Sequence, residues 1–194
     1  MAKRIVILQG HPDRQTTHLG HALADAYASG AAAAGHEVRR VEIAQLDFPL
    51  LRSADDWNSG PLPEGLRDAQ AAIGWANHLV ILFPLWTGTM PALFKGFLEQ
   101  IVRPGFAFRL RPDGNGLAPA LTGKSARVVV TMGMPALFFR WFYHSHGVRG
   151  LNRSILGFCG IRPVRTTYIG QVDAKTFQAD RWLAKLQELG RAGV

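Results

Sequence analysis

Apolar residues along the 194-residue chain fall into five short runs rich in β-branched side chains. The runs RIVILQ, LVILF and ARVVVT are almost continuously apolar, which is typical of central strands in a parallel sheet covered on both faces. The run EVRRVEI carries charges, and we expect it at an edge of the sheet. The predicted strands span residues 4–9, 37–43, 79–83, 126–131 and 164–169.

Segments with apolar residues at helical spacing separate these strands. The first predicted helix follows Thr16 and Thr17, either of which can be its N-cap, and it ends near Gly35. A second begins after Pro91, and a third covers residues 182–189. Alternation of strand and helix predicts an α/β fold: a doubly wound, five-stranded parallel sheet flanked by helices on both faces. The length predicts one domain, residues 1–194.

The loops that follow the strands are where we expect the site. Right-handed crossovers place every strand-to-helix loop at one edge of the sheet, and ligands of such folds bind there. The loops GHPDRQTTH, PLWTGTMP and MGMPALF follow the three most apolar strands. Two long connections, residues 48–63 and 103–123, are interpreted as insertions that shape or cover this site.

The first of these loops has the features of a phosphate-binding site. Thr16, Thr17 and His18 stand where a helix begins, and the free N–H groups and dipole of a helix N-terminus favour an anion. The alternative is that one threonine only caps the helix. The glycine-rich dinucleotide fingerprint G-x-G-x-x-G is absent. His144 and His146 alone make a weak metal-binding pattern, and no metal site is predicted.

The other two loops suit a planar heteroaromatic ring. In PLWTGT, small side chains leave the backbone accessible and Trp86 offers an aromatic surface. In TMGMP, Thr131 and Gly133 again bring the backbone close to a bound molecule. The alternative for Trp86 is a packing role. These loops therefore predict binding of a flat ring beside the phosphate group.

The formal net charge of +8 is unevenly distributed. Between residues 103 and 171 there are ten arginines or lysines and one acid, Asp113. Such a segment attracts nucleotide phosphates, nucleic acid or an acidic membrane surface, unless it is only a solvated surface rich in arginine. No DNA-reading or RNA-reading motif is visible, so we favour small phosphorylated ligands and expect no nucleic-acid partner.

The compartment is predicted from three negative features. No apolar run is long enough to span a membrane, and the first residues turn polar too soon for a signal peptide. The single cysteine, Cys159, cannot form an internal disulfide bond and reads as a small buried side chain. We therefore expect a soluble, cytoplasmic protein.

The segment FPLWTGTMPALFKGF, together with GHP in the first loop and FCG near residue 159, resembles the flavodoxin-like NAD(P)H:quinone oxidoreductases. This group includes DT-diaphorase, the modulator of drug activity and the ancillary oxidoreductases of potassium efflux systems. The resemblance implies a flavodoxin-like fold and a flavin cofactor, with FMN favoured over FAD because the chain is short. It also implies NADH or NADPH as electron donor, a quinone-like acceptor and a ping-pong reaction.

The resemblance also assigns roles to individual residues. It implies that His11, Thr16 and His18 face the flavin phosphate side, that Tyr143 and His146 assist proton transfer, and that two loops contact the ring. The ring-contacting residues of these two loops are Pro84, Leu85, Trp86, Thr87, Thr131, Met132 and Gly133.

The resemblance further implies a homodimer with the site at the subunit boundary. The helix of residues 91–102 and the aromatic run FFRWFY, residues 138–143, are candidate interface segments, although either could equally belong to the core. An alternative function is a flavin-containing regulatory subunit that docks on a membrane transporter through the basic segment. A third, an electron carrier like flavodoxin, is disfavoured because flavodoxins are usually acidic.

Overall fold

A computed structural model describes residues 1–14, 18–111 and 114–194. In this part of the chain, five strands form one parallel sheet and two short strands form a hairpin. The strands are β1 (Arg4–Gln9), β2 (Glu37–Glu42), β3 (His78–Pro84), β4 (Phe108–Leu110), β5 (Leu117–Pro119), β6 (Ser125–Thr131) and β7 (Val164–Ile169). The helices are α1 (Leu19–Ala33), α2 (Ala54–Ser59), α3 (Arg67–Trp75), α4 (Ala92–Ile101), α5 (Ala136–Trp141), α6 (His146–Gly150) and α7 (Ala179–Ala192), with a π-helical turn at Leu151–Leu156.

The order of the sheet is β2-β1-β3-β6-β7, and every pairing in it is parallel. All five predicted strands are present, and the charged run is the edge strand β2, as predicted. From β1 the chain first crosses to β2 on one side and then returns to β3 on the other side of β1. The direction of the crossovers therefore reverses between β1 and β3. The predicted doubly wound, flavodoxin-like sheet is thereby confirmed.

Two apolar layers cover the sheet. Alternate residues of β1, such as Ile5 and Ile7, pack in one layer with α1 and α7. Their neighbours Val6 and Leu8 pack in the other layer with α3 and α4. This alternation follows from the two-residue repeat of side chains along a strand. Burial on both faces explains why the central strands are apolar throughout.

Helix α1 begins at the site-bearing edge of the sheet. Its first residue is Leu19, and His18 occupies the N-cap position without a capping hydrogen bond from its side chain. The predicted capping and phosphate-binding threonines, Thr16 and Thr17, lie outside the described residues. The helix continues to Ala33, and Gly35 follows with a φ of 77°, as expected for the residue after a helix C-terminus.

The first long connection covers helix α4, and the second packs against the first. Phe48 packs edge-on against Phe97, with 6.2 Å between ring centroids. Trp57 Nε1 donates a hydrogen bond of 3.0 Å to the carbonyl of Val102, and its ring lies 5.6 Å from that of Phe108. No described residue of either connection lines the cleft reported below. The interpretation that they shape or cover the site was therefore wrong for this cleft: the first connection covers the apolar face of α4, and Phe106 of the second lies beside Gly74 of α3.

In the described part of the chain, no helix combines the length and apolarity needed to cross a bilayer. The same residues contain no cluster of three or more histidine, cysteine, aspartate or glutamate side chains suited to a metal ion. Cys159 is buried, and burial raises the pKa of its thiol to about 11. The thiol is thus protonated at neutral pH and unreactive.

Candidate functional site

A cleft of about 540 Å³ opens at the carboxyl ends of β1, β3, β6 and β7. The loops after these strands and the first turns of α1 and α7 form its walls. The lining residues are His11, His18, Leu19, Gly20, Pro84, Leu85, Trp86, Thr131, Met132, Gly133, Val172, Asp173, Phe177 and Ala179. A larger groove of about 800 Å³ lies beside α5, and it contains no residue of the loops that follow β1 and β3.

Two stacked histidines form one end of the cleft. The rings of His11 and His18 are nearly parallel, with centroids 3.9 Å apart. His18 Nε2 lies 2.8 Å from a carboxylate oxygen of Asp13. A third ring, His21, lies 5.8 Å from His11, and its Nε2 is 3.5 Å from a carboxylate oxygen of Glu42. The loop after β1 and the first turn of α1 therefore bring three imidazole groups together.

His11 is neutral at physiological pH. Burial lowers the pKa of its imidazole to about 4, with further lowering by His18 and His21 and a smaller opposing effect of Asp13. The backbone N–H of Asp13 donates a hydrogen bond of 3.2 Å to His11 Nδ1. Because Nδ1 accepts, the proton of the neutral ring is on Nε2. His11 thus brings a neutral N–H donor to the cleft.

Trp86 is held by a two-residue turn. Its backbone N–H donates to the carbonyl of Thr89, and the N–H of Thr89 donates back to the carbonyl of Trp86, at 2.9 and 3.0 Å. Thr87 and Gly88 between them have φ angles of 46° and 81°, which such a turn requires. A β-branched residue such as Thr87 is strained at positive φ. The turn leaves the Trp86 side chain 50% exposed, with its ring edge-on to His11 at 6.1 Å.

Backbone hydrogen bonds fix the other wall. The N–H of Leu85 donates to Thr131, that of Met132 to Ile169, and that of Val172 to Met132, at 2.8, 2.9 and 3.2 Å. These donors are consequently not available to a ligand. The backbone N–H groups of Thr87, Gly88 and Gly133 donate no hydrogen bond to any described residue.

The side chain of Asp173 lies close to Gly133. A Cβ atom on Gly133 would lie 2.7 Å from a carboxylate oxygen of Asp173. The absence of a side chain at position 133 therefore lets the Asp173 carboxylate approach the end of β6. That approach brings Asp173 to the cleft and leaves the backbone of Gly133 accessible to a ligand.

Eight residues predicted to bind the cofactor meet in this cleft. They are His11, His18, Pro84, Leu85, Trp86, Thr131, Met132 and Gly133. Thr87 belongs to the same turn but does not line the cleft. The sequence reasoning missed the loop after β7, with Val172, Asp173 and Phe177. The rule applied to the other strands, that loops at their carboxyl ends form the site, would have included it.

The two predicted proton-transfer residues lie outside the cleft lining. Tyr143 is 44% exposed and packs edge-on against Phe138 and Phe142. His146 is exposed at the start of α6. Its neighbour Gly147 lies against the Trp86 turn, since a Cβ atom there would be 2.4 Å from the carbonyl oxygen of Gly88. The segment is thus adjacent to the turn, although neither side chain lines the cleft.

Comparison with curated proteins identifies several oxidoreductases. A ribosyldihydronicotinamide dehydrogenase-like protein, traD, from Penicillium crustosum is 27% identical over 181 residues, which cover 79% of this chain and 64% of the relative. The chain thus spans slightly less than two thirds of that relative. An FMN-dependent NADH:quinone oxidoreductase from Clostridium beijerinckii is 27% identical over 76% of this chain and 74% of its own. A shorter match, 42% identical over 67 residues and 34% of this chain, is to the glutathione-regulated potassium-efflux system ancillary protein KefG from Escherichia coli.

The fold matches solved structures over its full length. An NAD(P)H:quinone oxidoreductase from Methanothermobacter marburgensis superposes with a TM-score of 0.82, covering 100% of both chains at 21% identity. At that identity the likeness supports the fold only. A family model described as the flavodoxin-like fold matches residues 3–191. The chain therefore belongs to the flavodoxin-like fold family.

Proposed function

We propose that the protein is an FMN-dependent NAD(P)H:quinone oxidoreductase. The observation that carries this proposal is the meeting of three features in one cleft: the N-terminus of α1, the Trp86 turn and the open backbone at Gly133. A phosphate group and a planar ring could be held there together. The curated relatives named as quinone oxidoreductases support the same reading.

The donors of the cleft fit the two ends of FMN. At the phosphate end are the first turn of α1, His18 and the Nε2–H of His11. The buried side-chain nitrogen of Gln9 has no partner in the described structure. At the ring end, Trp86 offers an aromatic wall, and the unpartnered N–H groups of Thr87, Gly88 and Gly133 can donate to polar atoms of the ring. FAD remains the alternative, since its shared FMN half would use the same donors.

The protein's contribution to the reaction is binding, orientation and proton supply. When bound, FMN supplies a ring that accepts hydride from NADH or NADPH and returns two electrons to a quinone. Donor and acceptor occupy the same open side of the cleft in turn, which gives ping-pong kinetics. Reduction of a quinone to a hydroquinone requires two electrons and two protons, so a protein group or water must provide the proton that hydride does not carry. We assign this role to Tyr143 and His146.

Replacing Trp86 by alanine should weaken FMN binding about tenfold to hundredfold, because it removes one aromatic wall of the cleft. The side chain is half exposed, so stability should change little. FMN affinity is measured by quenching of flavin fluorescence, and stability by urea denaturation without flavin. Trp141→Ala is the control, because Trp141 is an exposed tryptophan outside the cleft. Absence of FMN and FAD binding by the unmodified protein would refute the proposed function.

Replacing His146 by asparagine should slow quinone reduction about tenfold or more and leave reduction of the flavin by NAD(P)H nearly unchanged. Only the quinone step requires an additional proton. Stopped-flow absorbance separates the two half-reactions. His144→Asn is the matched control, since His144 is an exposed neighbour whose ring lies 5.7 Å from that of His146. Equal slowing of both half-reactions would argue against the proton role.

The homodimer and the cytoplasmic location are further parts of the proposal. Of the two candidate interface segments, helix α4 buries its apolar residues in the core. The aromatic run of residues 138–143 is mostly exposed, but it contains Arg140 and no acid, which disfavours contact of the run with its own copy. A dimeric mass in analytical ultracentrifugation would support the homodimer. A cytoplasmic location is consistent with the free thiol of Cys159.

A regulatory subunit of a membrane transporter is the second candidate function. Its support is the KefG match, which covers only a third of the chain. The same cleft would then serve a subunit whose reductase activity is secondary. Rapid quinone turnover by the isolated protein would favour the enzyme, whereas co-purification with a transporter would favour the subunit.

A further inference from the structure

Helix α5 and the residues after it carry an exposed apolar surface, of which the proposed reaction uses only Tyr143. Five large apolar or aromatic side chains form this aromatic patch: Leu137, Phe138, Trp141, Phe142 and Tyr143. Their exposed fractions are 74%, 47%, 87%, 64% and 44%. Phe138 and Phe142 stack at 5.0 Å, and Tyr143 meets both rings edge-on. Exposure on this scale in adjacent residues marks an interaction surface.

Buried residues of the same segment fix the position of the patch. Phe139, in the same helix, is buried and anchors α5 in the core. Ser145 is also buried, and its N–H donates a 3.2 Å hydrogen bond to the carbonyl of Phe139. Helix α5 therefore places one residue, Phe139, in the core and exposes its other large apolar residues to solvent. A helix with a large solvent-exposed apolar surface is typical of a site where another molecule binds.

Positive charge borders the patch. Arg140 and Arg149 line the groove of about 800 Å³ beside it, and neither forms an ion pair with a described residue. Residues 114–172 contain no aspartate or glutamate. Some basic residues of this region have structural roles: Lys124 binds the carbonyl of Gly74, and Arg127 binds Thr167. Arg140 lies over the ring of Tyr168, 5.9 Å from its centroid. Neither Arg140 nor Arg149 has an ion-pair partner among the described residues, so both charges remain available to an anionic partner.

We propose that the aromatic patch docks on the surface of an anionic lipid bilayer. Tryptophan, tyrosine and phenylalanine beside arginine are the side chains that favour the boundary between lipid headgroups and acyl chains. Each arginine near an anionic membrane adds attraction that salt weakens. A twofold contact of the patch with a second copy would bring Arg140 and Arg149 of both copies together without an acid from residues 114–172 to pair with them.

The position of the patch gives the docking a purpose that rests on the proposed function. Gly147 joins the end of the patch to the Trp86 turn, where it packs against the backbone of Gly88. A docked protein would therefore hold the turn near the membrane surface. Acceptors dissolved in the bilayer, such as quinones with apolar tails, would then be close to the cleft.

Sedimentation of the full protein with lipid vesicles tests the docking without any enzyme assay. We expect the protein to bind vesicles of phosphatidylcholine with 30 mol% phosphatidylglycerol at least tenfold more tightly than vesicles of phosphatidylcholine alone. Binding should fall as NaCl is raised from 50 to 500 mM. The phosphatidylglycerol fraction of about 30 mol% changes the surface charge of the vesicle, and the two NaCl concentrations change how strongly that charge is screened.

Two variants and their controls locate the binding surface. Trp141→Ser, and Arg140→Gln combined with Arg149→Gln, should each weaken vesicle binding about tenfold or more. Leu110→Ser and Arg181→Gln should leave vesicle binding unchanged. Leu110 is 76% exposed but lies on the β4–β5 hairpin, and Arg181 is exposed on α7. Circular dichroism and FMN affinity confirm that each variant is folded. They also distinguish failure of docking from failure of the proposed function.

Several results would overturn the docking. One is no binding to either kind of vesicle, and another is unchanged binding by both patch variants. A dimer in ultracentrifugation that Trp141→Ser dissociates, without vesicle binding, would assign the patch to a second copy. Binding to poly-glutamate but to no vesicle would assign it to an acidic protein partner.

Discussion

Alanine in place of Gly147 should destabilise the protein by about 2 kcal/mol or more and weaken FMN binding at the same time. The added Cβ would lie 2.4 Å from the carbonyl oxygen of Gly88, 2.7 Å from Cβ of Thr89 and 2.8 Å from Cα of Thr89. Most of these contacts are with backbone, so the strain cannot be relieved by a side-chain rotation. The Trp86 turn must move instead, and with it one wall of the cleft. Urea denaturation and flavin-fluorescence titration measure the two effects.

Gly150→Ala is the matched control, because both glycines belong to helix α6. A Cβ on Gly150 has no heavy atom within 4 Å, and its φ of −58° suits any residue. Alanine there should stabilise the helix by about 0.5 to 1 kcal/mol, the usual gain over glycine. Changes of opposite sign in the unfolding free energy of the two variants would show that contact with the turn, and not helix propensity, requires glycine at position 147. The same sign for both would refute the contact.

The sheet could be predicted from the sequence because its pattern is local. Runs such as RIVILQ and LVILF are apolar because both faces of their strands are covered, and that requirement is written in consecutive residues. Parallel order then brings the loops after these strands to one edge. His11, Trp86 and Thr131 meet in the cleft for this reason, although 75 and 45 residues separate them along the chain.

The parts that could not be predicted depend on contacts between distant segments. Residues 48–63 look like any long loop, and only the apolar face of α4 decides what they cover. The Asp173 carboxylate lies beside Gly133, a residue forty positions earlier in the chain. The exposure of Trp141 is likewise invisible in the sequence, because an apolar run of this length fits a core helix equally well.

Alanine in place of Gly30 should cost about 3 kcal/mol or more of unfolding free energy, the largest effect we expect from a single methyl group. Helices α1 and α7 touch through their backbones at this point. A Cβ on Gly30 would be 1.9 Å from the carbonyl oxygen of Gln187, and one on Gly190 would be 2.1 Å from that of Tyr27. The methyl group can fit only if the two helices separate, because neither contact involves a side chain that could rotate.

Separation of these helices should also open the cleft, since the first residues of both line it: Leu19 on α1 and Ala179 on α7. Gly30→Ala should therefore lower FMN affinity as well as the urea midpoint. Gly74→Ala in α3 is the control, because its Cβ would meet only the Phe106 ring at an ordinary 3.5 Å. If the urea midpoint of Gly30→Ala is as high as that of Gly74→Ala, then α1 and α7 are not in backbone contact. Loss of stability with unchanged FMN affinity would instead mean that the cleft does not depend on their spacing.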